Sequence, residues 1–279
     1  MKYVLYNRLS NNGKGENSAD EAMAKFASDG EKVDLVGLSV KEWLTKVTAD
    51  DTIYLCGGDG TLNRFANDAY GVTIPCPVLL YKAGTGNDFY HDIYENYDKS
   101  ETPEIRKYIN RLPMVKVKDI ECRFINGIGF GIDGMCCETA DLQKGQGVEK
   151  IDYTGIAIRL LLFKYKRPNA TVYIDGEEMK FNKVWFASAM NGRFYGGGMD
   201  NAPDQDRRGD ELTAIVWHGG GKIRTLMRFP KIFKGTLINE KCIYAKKGHT
   251  IRVVFDRPTA LQIDGETVTG VTEYTASKL

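Results

Sequence analysis

The stretch YLCGGDGTLN at residues 54–63 decides the fold, because an apolar run ends there in a glycine turn that contains an acid. The β-branched and apolar residues at 52–56 predict a buried strand, and the segment 61–71, which ends in glycine, predicts a helix. Glycine allows a tight turn and lets a bulky anion approach bare backbone. Thr61 is expected to cap the helix, whose first N–H groups and positive dipole end suit a phosphate.

Asp59 needs its own explanation, because a carboxylate would repel a phosphate bound in the same turn. Two explanations are open at this point. A Mg²⁺ ion with its waters could bridge the acid and the phosphate. Alternatively, Asp59 only satisfies backbone donors within the turn. The turn by itself therefore indicates no more than a phosphate site.

The first part of the chain alternates between strand and helix patterns. Strands are predicted at 2–7, 32–39, 52–56 and 76–83, and helices are predicted at 20–30, 40–51 and 61–71. Strand–helix alternation at this spacing is typical of a parallel sheet with crossover helices. Ligands of such sheets bind beyond the carboxyl ends of the strands.

The second part reads mostly as strands joined by turn signals such as Asp175-Gly176 and Asp264-Gly265. This texture predicts a mostly antiparallel β domain, interrupted by one helix at 150–166. The predicted organisation is an α/β nucleotide-binding domain at 1–120, which residues 268–279 could complete, followed by a β-rich second domain at 121–267.

Composition excludes several classes of protein. The 279 residues are 42% hydrophobic and 27% charged, and the formal net charge of +1 argues against nucleic-acid binding driven by bulk charge. No apolar segment is long enough to cross a bilayer, and the polar start lacks the apolar core of a signal peptide, so a cytoplasmic protein is expected. The six cysteines form no C-x-x-C pair and are expected to be free thiols.

Two further glycine loops follow predicted strands. One contains Asn7 and the run 10–15, and the other is the stretch AGTGNDF at 83–89. Each could be an ordinary surface turn. Three glycine loops that each close a parallel strand would, however, lie together at one edge of the sheet, where a nucleotide can bind.

These motifs resemble the diacylglycerol kinase catalytic-domain family, which includes bacterial soluble lipid kinases and sphingosine kinases. The family pattern of N-P-x-S-G-x-G, G-G-D-G-T-x-N-E and G-T-x-N-D-F corresponds to NRLSNNGKG, GGDGTLNR and GTGNDF in this chain. Asp119, the run 124–133 and the D-G-E at 264–266 match later family motifs in the same order. Phosphofructokinases and NAD kinases share G-G-D-G-T, so the combination of motifs carries the resemblance.

The resemblance implies two domains with the active site in the cleft between them, and ATP-dependent phosphorylation of a lipid hydroxyl within phospholipid metabolism. The implied ATP-binding residues are Asn11, Asn12, Gly13, Lys14, Gly15, Gly57, Gly58, Asp59, Gly60, Thr61, Asn63 and Thr85. Asp59, Asp88 and Asp119 would form a Mg²⁺-linked acidic network. Either Asp264 or Glu266 would accept the proton of the substrate hydroxyl, and Glu266 is preferred.

The chain departs from the family pattern at three places. Arg64 stands where glutamate is usual, and Arg8 replaces a proline. In the segment 203–212, Arg208 replaces the aspartate that holds a structural Mg²⁺ in bacterial relatives. Either this arginine supplies the positive charge itself, or Asp206 or Asp210 binds a metal in a shifted loop.

A soluble enzyme that acts on a lipid needs a way onto the membrane surface, which makes a transiently peripheral protein the expectation. The apolar run 156–163 with its following cations and the basic, apolar segment 222–234 could each contact an anionic interface. The alternative for both stretches is a core helix with a solvated basic edge.

Two other functions fit parts of the same sequence. The shared G-G-D-G-T is compatible with a kinase for a soluble alcohol such as NAD or a sugar phosphate. Arg64 and the altered segment 204–211 are compatible with a nucleotide-binding regulatory protein that has lost turnover.

Overall fold

The computed structural model describes residues 1–84, 86–148 and 150–278, without the side chain of Asn12. The chain divides into two compact units, the first comprising Met1–Leu112 and the second beginning at Pro113. Each unit has its own sheet and its own core.

The first unit is built on a parallel sheet in the strand order β2-β1-β3-β4. These strands are β1 (Lys2–Tyr6), β2 (Glu31–Asp34), β3 (Thr52–Gly57) and β4 (Val78–Lys82). β3 carries the apolar run of the glycine-turn motif and is almost completely buried, since its neighbours cover both of its edges.

Helices connect these strands, as the alternating pattern predicted. They are α1 (Ser10–Gly13), α2 (Gly15–Phe26), α3 (Val40–Leu44), α4 (Asp59–Asp68), α5 (Asp88–Asn96) and α6 (Arg106–Ile109). α2 begins five residues before the predicted start at 20, because its polar first turn lies on the surface while Ala19 and Ala22 pack into a core with Val4 and Tyr54.

The second unit contains a larger, antiparallel sheet. The strands of this unit, of which β11 and β12 form a separate small sheet, are β5 (Met114–Val117), β6 (Ile120–Arg123), β7 (Gly127–Gly131), β8 (Ala170–Ile174), β9 (Glu177–Phe181), β10 (Val184–Met190), β11 (Phe194–Tyr195), β12 (Met199–Asp200), β13 (Leu212–His218), β14 (Ile243–Gly248), β15 (Thr250–Ile263) and β16 (Glu266–Ser277). The main path runs β14-β13-β10-β7-β15-β16-β5-β6, β8 and β9 extend from β15, and β11 pairs only with β12.

The helices of the second unit cover a hydrophobic cluster on its sheet. They are α7 (Ile132–Gly145), α8 (Tyr153–Arg159), a π-helical turn (Leu160–Lys164), α9 (Lys222–Arg228) and two 3₁₀ turns (Phe229–Lys234 and Leu237–Asn239). Ile156, Leu160, Ile232 and Leu237 from these helices pack with Trp185 of β10. The stretch predicted as one helix at 150–166 is therefore α8 continued by the π-helical turn.

The fold class predicted from the sequence is confirmed for each unit, while the domain limits differ. The predicted boundary at 120/121 falls at the start of β6, which with β5 forms a hairpin that belongs to the second unit because β5 pairs with β16. Residues 268–277 lie in β16 and so complete the second unit, not the first.

None of the helices described in residues 1–84, 86–148 and 150–278 is both long enough and apolar enough to cross a membrane.

Candidate active site

The three glycine loops of the first unit start side by side. β1, β3 and β4 are adjacent parallel strands, with Tyr6 paired to Cys56 and Gly57 paired to Lys82. The loops that begin after Tyr6, Gly57 and Lys82 therefore leave the same carboxyl edge of the sheet, as predicted. This is the position where open α/β sheets bind ligands.

Asp59 joins two of these loops. Its Oδ2 accepts a hydrogen bond from the backbone N–H of Asp88 at 2.8 Å, and its Oδ1 accepts one from the N–H of Phe89 at 2.9 Å. These amides belong to the first turn of α5, where N–H groups have no partner within the helix. The carboxylate thus satisfies backbone donors, as the second explanation supposed, but these donors lie in the loop after β4 and not within the turn of Asp59.

Small residues let the second and third loops approach each other. A Cβ at Gly58 would lie 3.0 Å from the carbonyl oxygen of Ala83 and 3.6 Å from Oδ1 of Asn87. Asn87 adopts a left-handed conformation with φ of 58°, and its Nδ2 donates to the carbonyl oxygen of Gly84 at 3.0 Å. Thr85, which was predicted to bind ATP, lies outside the described residues.

The start of α4 is open to solvent on one side only. A Cβ at Gly60 would meet nothing within 4 Å, whereas a Cβ at Gly57 would lie 2.4 Å from Cβ of Thr61. The expectation that Thr61 caps this helix is wrong: α4 begins at Asp59 with Gly58 in the capping position, so Thr61 lies inside the first turn and is buried. Bare backbone at Gly60 remains accessible to an anion.

The outer face of α4 carries two residues that the motif had singled out. Oδ1 of Asn63 accepts a hydrogen bond from Nδ2 of Asn67 at 3.0 Å. Arg64 is about half exposed and its Nε lies 3.7 Å from the carboxylate of Asp68, one turn further along the helix. Arg64 therefore makes an ordinary surface ion pair of small energetic weight.

The first loop is folded tightly against the end of β1. The N–H and hydroxyl of Ser10 both donate to the carbonyl oxygen of Asn7, at 3.0 and 2.7 Å. A Cβ at Gly15 would lie 2.0 Å from the same carbonyl oxygen, so only glycine fits where α2 begins. Arg8, which replaces the family's proline, forms an ion pair with Asp34 at the end of β2. The predicted residues 11–15 lie at the junction of α1 and α2.

In the second unit, the predicted acids at 264 and 266 have different surroundings. Asp264 lies in the turn between β15 and β16, and its carboxylate accepts hydrogen bonds from three successive backbone N–H groups, those of Ile125, Asn126 and Gly127, at 2.6, 2.8 and 3.0 Å. Glu266 begins β16 and is exposed. Asp264 therefore ties the hairpin to the segment before β7, while the carboxylate of Glu266 faces solvent.

The predicted metal ligands come from both units. Asp59 and Asp88 belong to the first unit, and Asp119 lies in the turn between β5 and β6 of the second. Neither unit, as far as its residues are described, gathers three His, Cys, Asp or Glu side chains that could hold a metal ion. The donor set thus provides no cage for a resident ion.

Asp133 is a polar residue of the second unit for which no individual role was predicted from the sequence. Its Oδ2 accepts a hydrogen bond at 2.7 Å from the hydroxyl of Tyr195, which is 3% exposed. Burial raises the pKa of the Asp133 carboxyl to about 7. From the sequence, the run 124–133 is only a motif, because the hydrogen-bond partner that surrounds this acid comes from β11, 62 residues further on.

In the segment 204–211, the interior arginine is Arg207 and not Arg208, the residue that the family comparison had singled out. Arg208 is exposed and its side chain pairs with Asp206, whereas Arg207 is 4% exposed and donates to the carbonyl oxygen of Ile125 at 3.0 Å. The buried ammonium of Lys278 donates to the carbonyl oxygen of Arg207 at 2.8 Å and to Oδ1 of Asn191 at 2.7 Å. The interior positive charge of this region comes from Arg207 and Lys278 and not from Arg208.

The sequence matches two family models, one in each part of the chain. Residues 2–117 match the diacylglycerol kinase catalytic domain. Residues 126–276, more than half of the chain, match the YegS C-terminal NAD kinase beta sandwich-like domain. The two matches follow each other along the chain and together span most of it.

Individual proteins are similar along most of the chain. A diacylglycerol kinase of Mycobacterium tuberculosis (strain ATCC 25618 / H37Rv) is 24% identical over 262 residues, which cover 90% of this chain and 84% of that protein. A protein of Staphylococcus aureus (strain MRSA252) assigned as a lipid kinase is 24% identical over 226 residues, covering 77% and 70%. A crystal structure from Bacillus anthracis str. Sterne, assigned as a diacylglycerol kinase, aligns with a TM-score of 0.70 at 18% identity and covers 100% of this chain and 92% of its own. At that identity the structural match shows a shared fold.

Proposed function

Because the chain belongs to the diacylglycerol kinase catalytic-domain family, we propose that it transfers the γ-phosphoryl group of ATP to a hydroxyl group of a diacylglycerol-like or sphingoid-like lipid. Family membership supports a phosphotransferase, and the lipid acceptor is the further step of this proposal. Placement in lipid and phospholipid metabolism follows from the same acceptor.

The link between Asp59 and the start of α5 carries the proposal. It holds the loop of β3 and the loop of β4 together, so that the first turns of α4 and α5 lie at one edge of the sheet. The first turn of α4, with its exposed Gly60, presents backbone N–H groups and the positive end of a helix dipole, which attract phosphate oxygens, whereas Asp59 already engages the N–H groups of Asp88 and Phe89 in α5. The link thereby fixes the loop of β4 beside the start of α4, where a phosphate group of ATP would bind.

The residues divide the work of phosphoryl transfer. The loops at 11–15, 57–61 and 84–88 would hold and orient the phosphates of ATP, because positioning is the largest part of catalysis in this reaction. Glu266 would accept the proton of the attacking hydroxyl, since its carboxylate is exposed while that of Asp264 is engaged by three backbone N–H groups. Asp264 then acts by fixing the turn from which Glu266 projects.

Mg²⁺ enters the proposal only as the counter-ion of the ATP phosphates. When bound, such an ion neutralises charge on the β- and γ-phosphate oxygens. The carboxylate of Asp59 already accepts two backbone hydrogen bonds, and the described residues of neither unit form a three-ligand cluster. No role is therefore assigned to a resident ion.

A phosphorylation assay with labelled ATP and Mg²⁺ tests the proposal. Purified protein is incubated with mixed micelles of diacylglycerol or of a sphingoid base, and separately with NAD and with sugar phosphates without detergent. Labelled lipid product is expected in the micelle reactions. A labelled water-soluble product would replace the proposal by a soluble-alcohol kinase, and tight ATP binding with transfer to no acceptor would replace it by a regulatory nucleotide-binding protein.

A further inference from the structure

Three large apolar side chains of the second unit project into solvent. The side chains of Phe163, Ile223 and Met227 are exposed by 77%, 72% and 73%. These three residues are called the apolar patch. Exposure this high is unusual for several large apolar residues in one region and marks surfaces that contact another apolar phase.

The residues of the apolar patch come from two segments that contact each other. Nζ of Lys222, at the start of α9, donates a hydrogen bond at 2.6 Å to the carbonyl oxygen of Leu162 in the π-helical turn. This contact brings Ile223 next to the segment that carries Phe163. Ile223 and Met227 are four residues apart in α9 and therefore project from the same face of the helix.

The core does not need these side chains. The opposite face of the α9 region packs inward through Thr225, Leu226, Ile232 and Leu237, and the last three belong to the hydrophobic cluster beneath. The helix therefore has its own buried face, and the apolar patch is additional to it. A face of this kind is typical of helices that lie at a membrane surface.

The two segments that carry the apolar patch are rich in cations. The segments 154–173 and 212–239 contain no aspartate or glutamate, and they carry these cations: Arg159, Lys164, Lys166, Arg167, Lys222, Arg224, Arg228, Lys231 and Lys234. The nearby Glu240 pairs with Arg228 and Lys231. Because the formal net charge of the chain is only +1, this concentration of cations is local.

We propose that the apolar patch and its surrounding cations dock the protein on an anionic lipid bilayer. The cations would attract anionic headgroups, while Phe163, Ile223 and Met227 would enter the boundary between headgroups and acyl chains. The inference deepens the proposed lipid kinase activity by assigning the surface that brings the protein to its substrate. The reason for such docking rests on the proposed function, whereas the vesicle binding itself does not. A protein partner would require acidic surface of its own and is an outcome of the test.

Vesicle co-sedimentation tests the surface without reference to catalysis. Wild-type protein is mixed with vesicles of phosphatidylcholine, and with vesicles in which about one third is replaced by phosphatidylglycerol. Binding to the anionic vesicles is expected, with little binding to the neutral ones and weaker binding as salt is raised. Equal binding to both, or binding to neither, would overturn the proposal, and the second result would favour a protein partner.

Two double variants separate the apolar and the electrostatic contributions. Phe163→Ser with Met227→Ser, and Arg224→Glu with Lys234→Glu, are each expected to weaken binding to anionic vesicles at least about tenfold. Lys41→Glu with Lys46→Glu changes the net charge equally in the first unit and is expected to leave vesicle binding unchanged. If this control loses as much affinity as the patch variants, bulk charge and not the surface is responsible.

A detergent assay separates failure of this inference from failure of the proposed function. Both patch variants are expected to phosphorylate lipid in neutral micelles at the wild-type rate, because micelles deliver the lipid without an anionic bilayer. If the protein binds vesicles but phosphorylates no lipid, the proposed docking surface is supported and the proposed lipid kinase activity is contradicted.

Discussion

The carboxylate of Asp59 lies 2.8 Å from the backbone nitrogen of Asp88, 29 residues further along the chain. Through this contact the acid of the glycine turn accepts a hydrogen bond from the first turn of α5, the helix that follows β4. The backbone N–H groups that Asp59 accepts from therefore explain why an acid stands in a turn where a phosphate is expected. The relationship makes the loop of β3 and the loop of β4 one structural unit.

Replacing Asp59 by asparagine should destabilise the protein. One carboxylate oxygen becomes an NH₂ group, so one of the two buried amides of Asp88 and Phe89 loses its acceptor, at a cost of about 1–3 kcal/mol. Urea unfolding measures the loss. Asp68→Asn, at the other end of α4, breaks only an exposed ion pair with Arg64 and should cost less than about 0.5 kcal/mol. Equal losses in the two variants would show that the link contributes nothing specific.

Gly60→Ala should separate nucleotide binding from stability. The new methyl group meets nothing within 4 Å and lies in the first turn of a helix, so the free energy of unfolding should stay equal or rise by up to about 1 kcal/mol. If phosphates approach this backbone, KM for ATP should rise about tenfold or more, since a good phosphate contact is worth about 1.4 kcal/mol or more. An unchanged KM would place the phosphates elsewhere.

Glu266→Gln and Asp264→Asn should fail in different ways. Glu266→Gln is expected to fold normally, because the side chain is exposed, and to lower kcat by about 10²–10⁴ if it removes the base. Asp264→Asn should lower the free energy of unfolding by about 1–3 kcal/mol, because the three backbone N–H groups lose a charged acceptor. If Glu266→Gln keeps the wild-type kcat, a group other than Glu266 must be the base.

Two glycines of α7 should respond to alanine with opposite signs. A Cβ at Gly134 would lie 2.2 Å from the carbonyl oxygen of Ala260 in β15, so Gly134→Ala should cost about 1–3 kcal/mol or more. A Cβ at Gly145, in the same helix, meets nothing within 4 Å, so Gly145→Ala should be neutral or stabilising by up to about 1 kcal/mol. Thermal unfolding of the pair measures how closely the helix backbone packs on the strand.

Asp133 should make stability depend on pH. Burial raises the pKa of its carboxyl to about 7 in the native state, whereas an unfolded aspartate titrates near about 4. Between these values the native state binds more protons than the unfolded state, so this residue's contribution to stability falls as the pH rises towards 7. Asp133→Asn cannot ionise, and its stability relative to wild type should increase with pH. Urea unfolding at about pH 5 and pH 8 measures this, and parallel curves for the two proteins would contradict it.

Much of the fold could be predicted because its signals are local. The alternation of strands and helices in the first unit, the turn signal at Asp264-Gly265 and the free cysteines all follow from residues close in sequence. The difference in the domain boundary depends on distant partners, whereas the error at Thr61 is local. The domain boundary was placed too late because the pairing of β5 with β16 joins segments more than 150 residues apart. Thr61 was predicted to cap α4 because the pattern placed the start of the helix at residue 61, whereas α4 begins two residues earlier, at Asp59.

The sequence by itself determined where the chemistry could occur: glycine loops at the carboxyl ends of β1, β3 and β4, and acids in the last hairpin, in the order of a known family. Only the tertiary structure decided which acid does what. Asp59 and Asp264 accept backbone hydrogen bonds while Glu266 remains exposed, Asp133 is half-buried and hydrogen-bonded to Tyr195, and Arg207 rather than Arg208 turns inward. The physical reason is that a carboxylate or guanidinium is defined by its burial and its hydrogen-bond partners, and these come from segments remote in the chain.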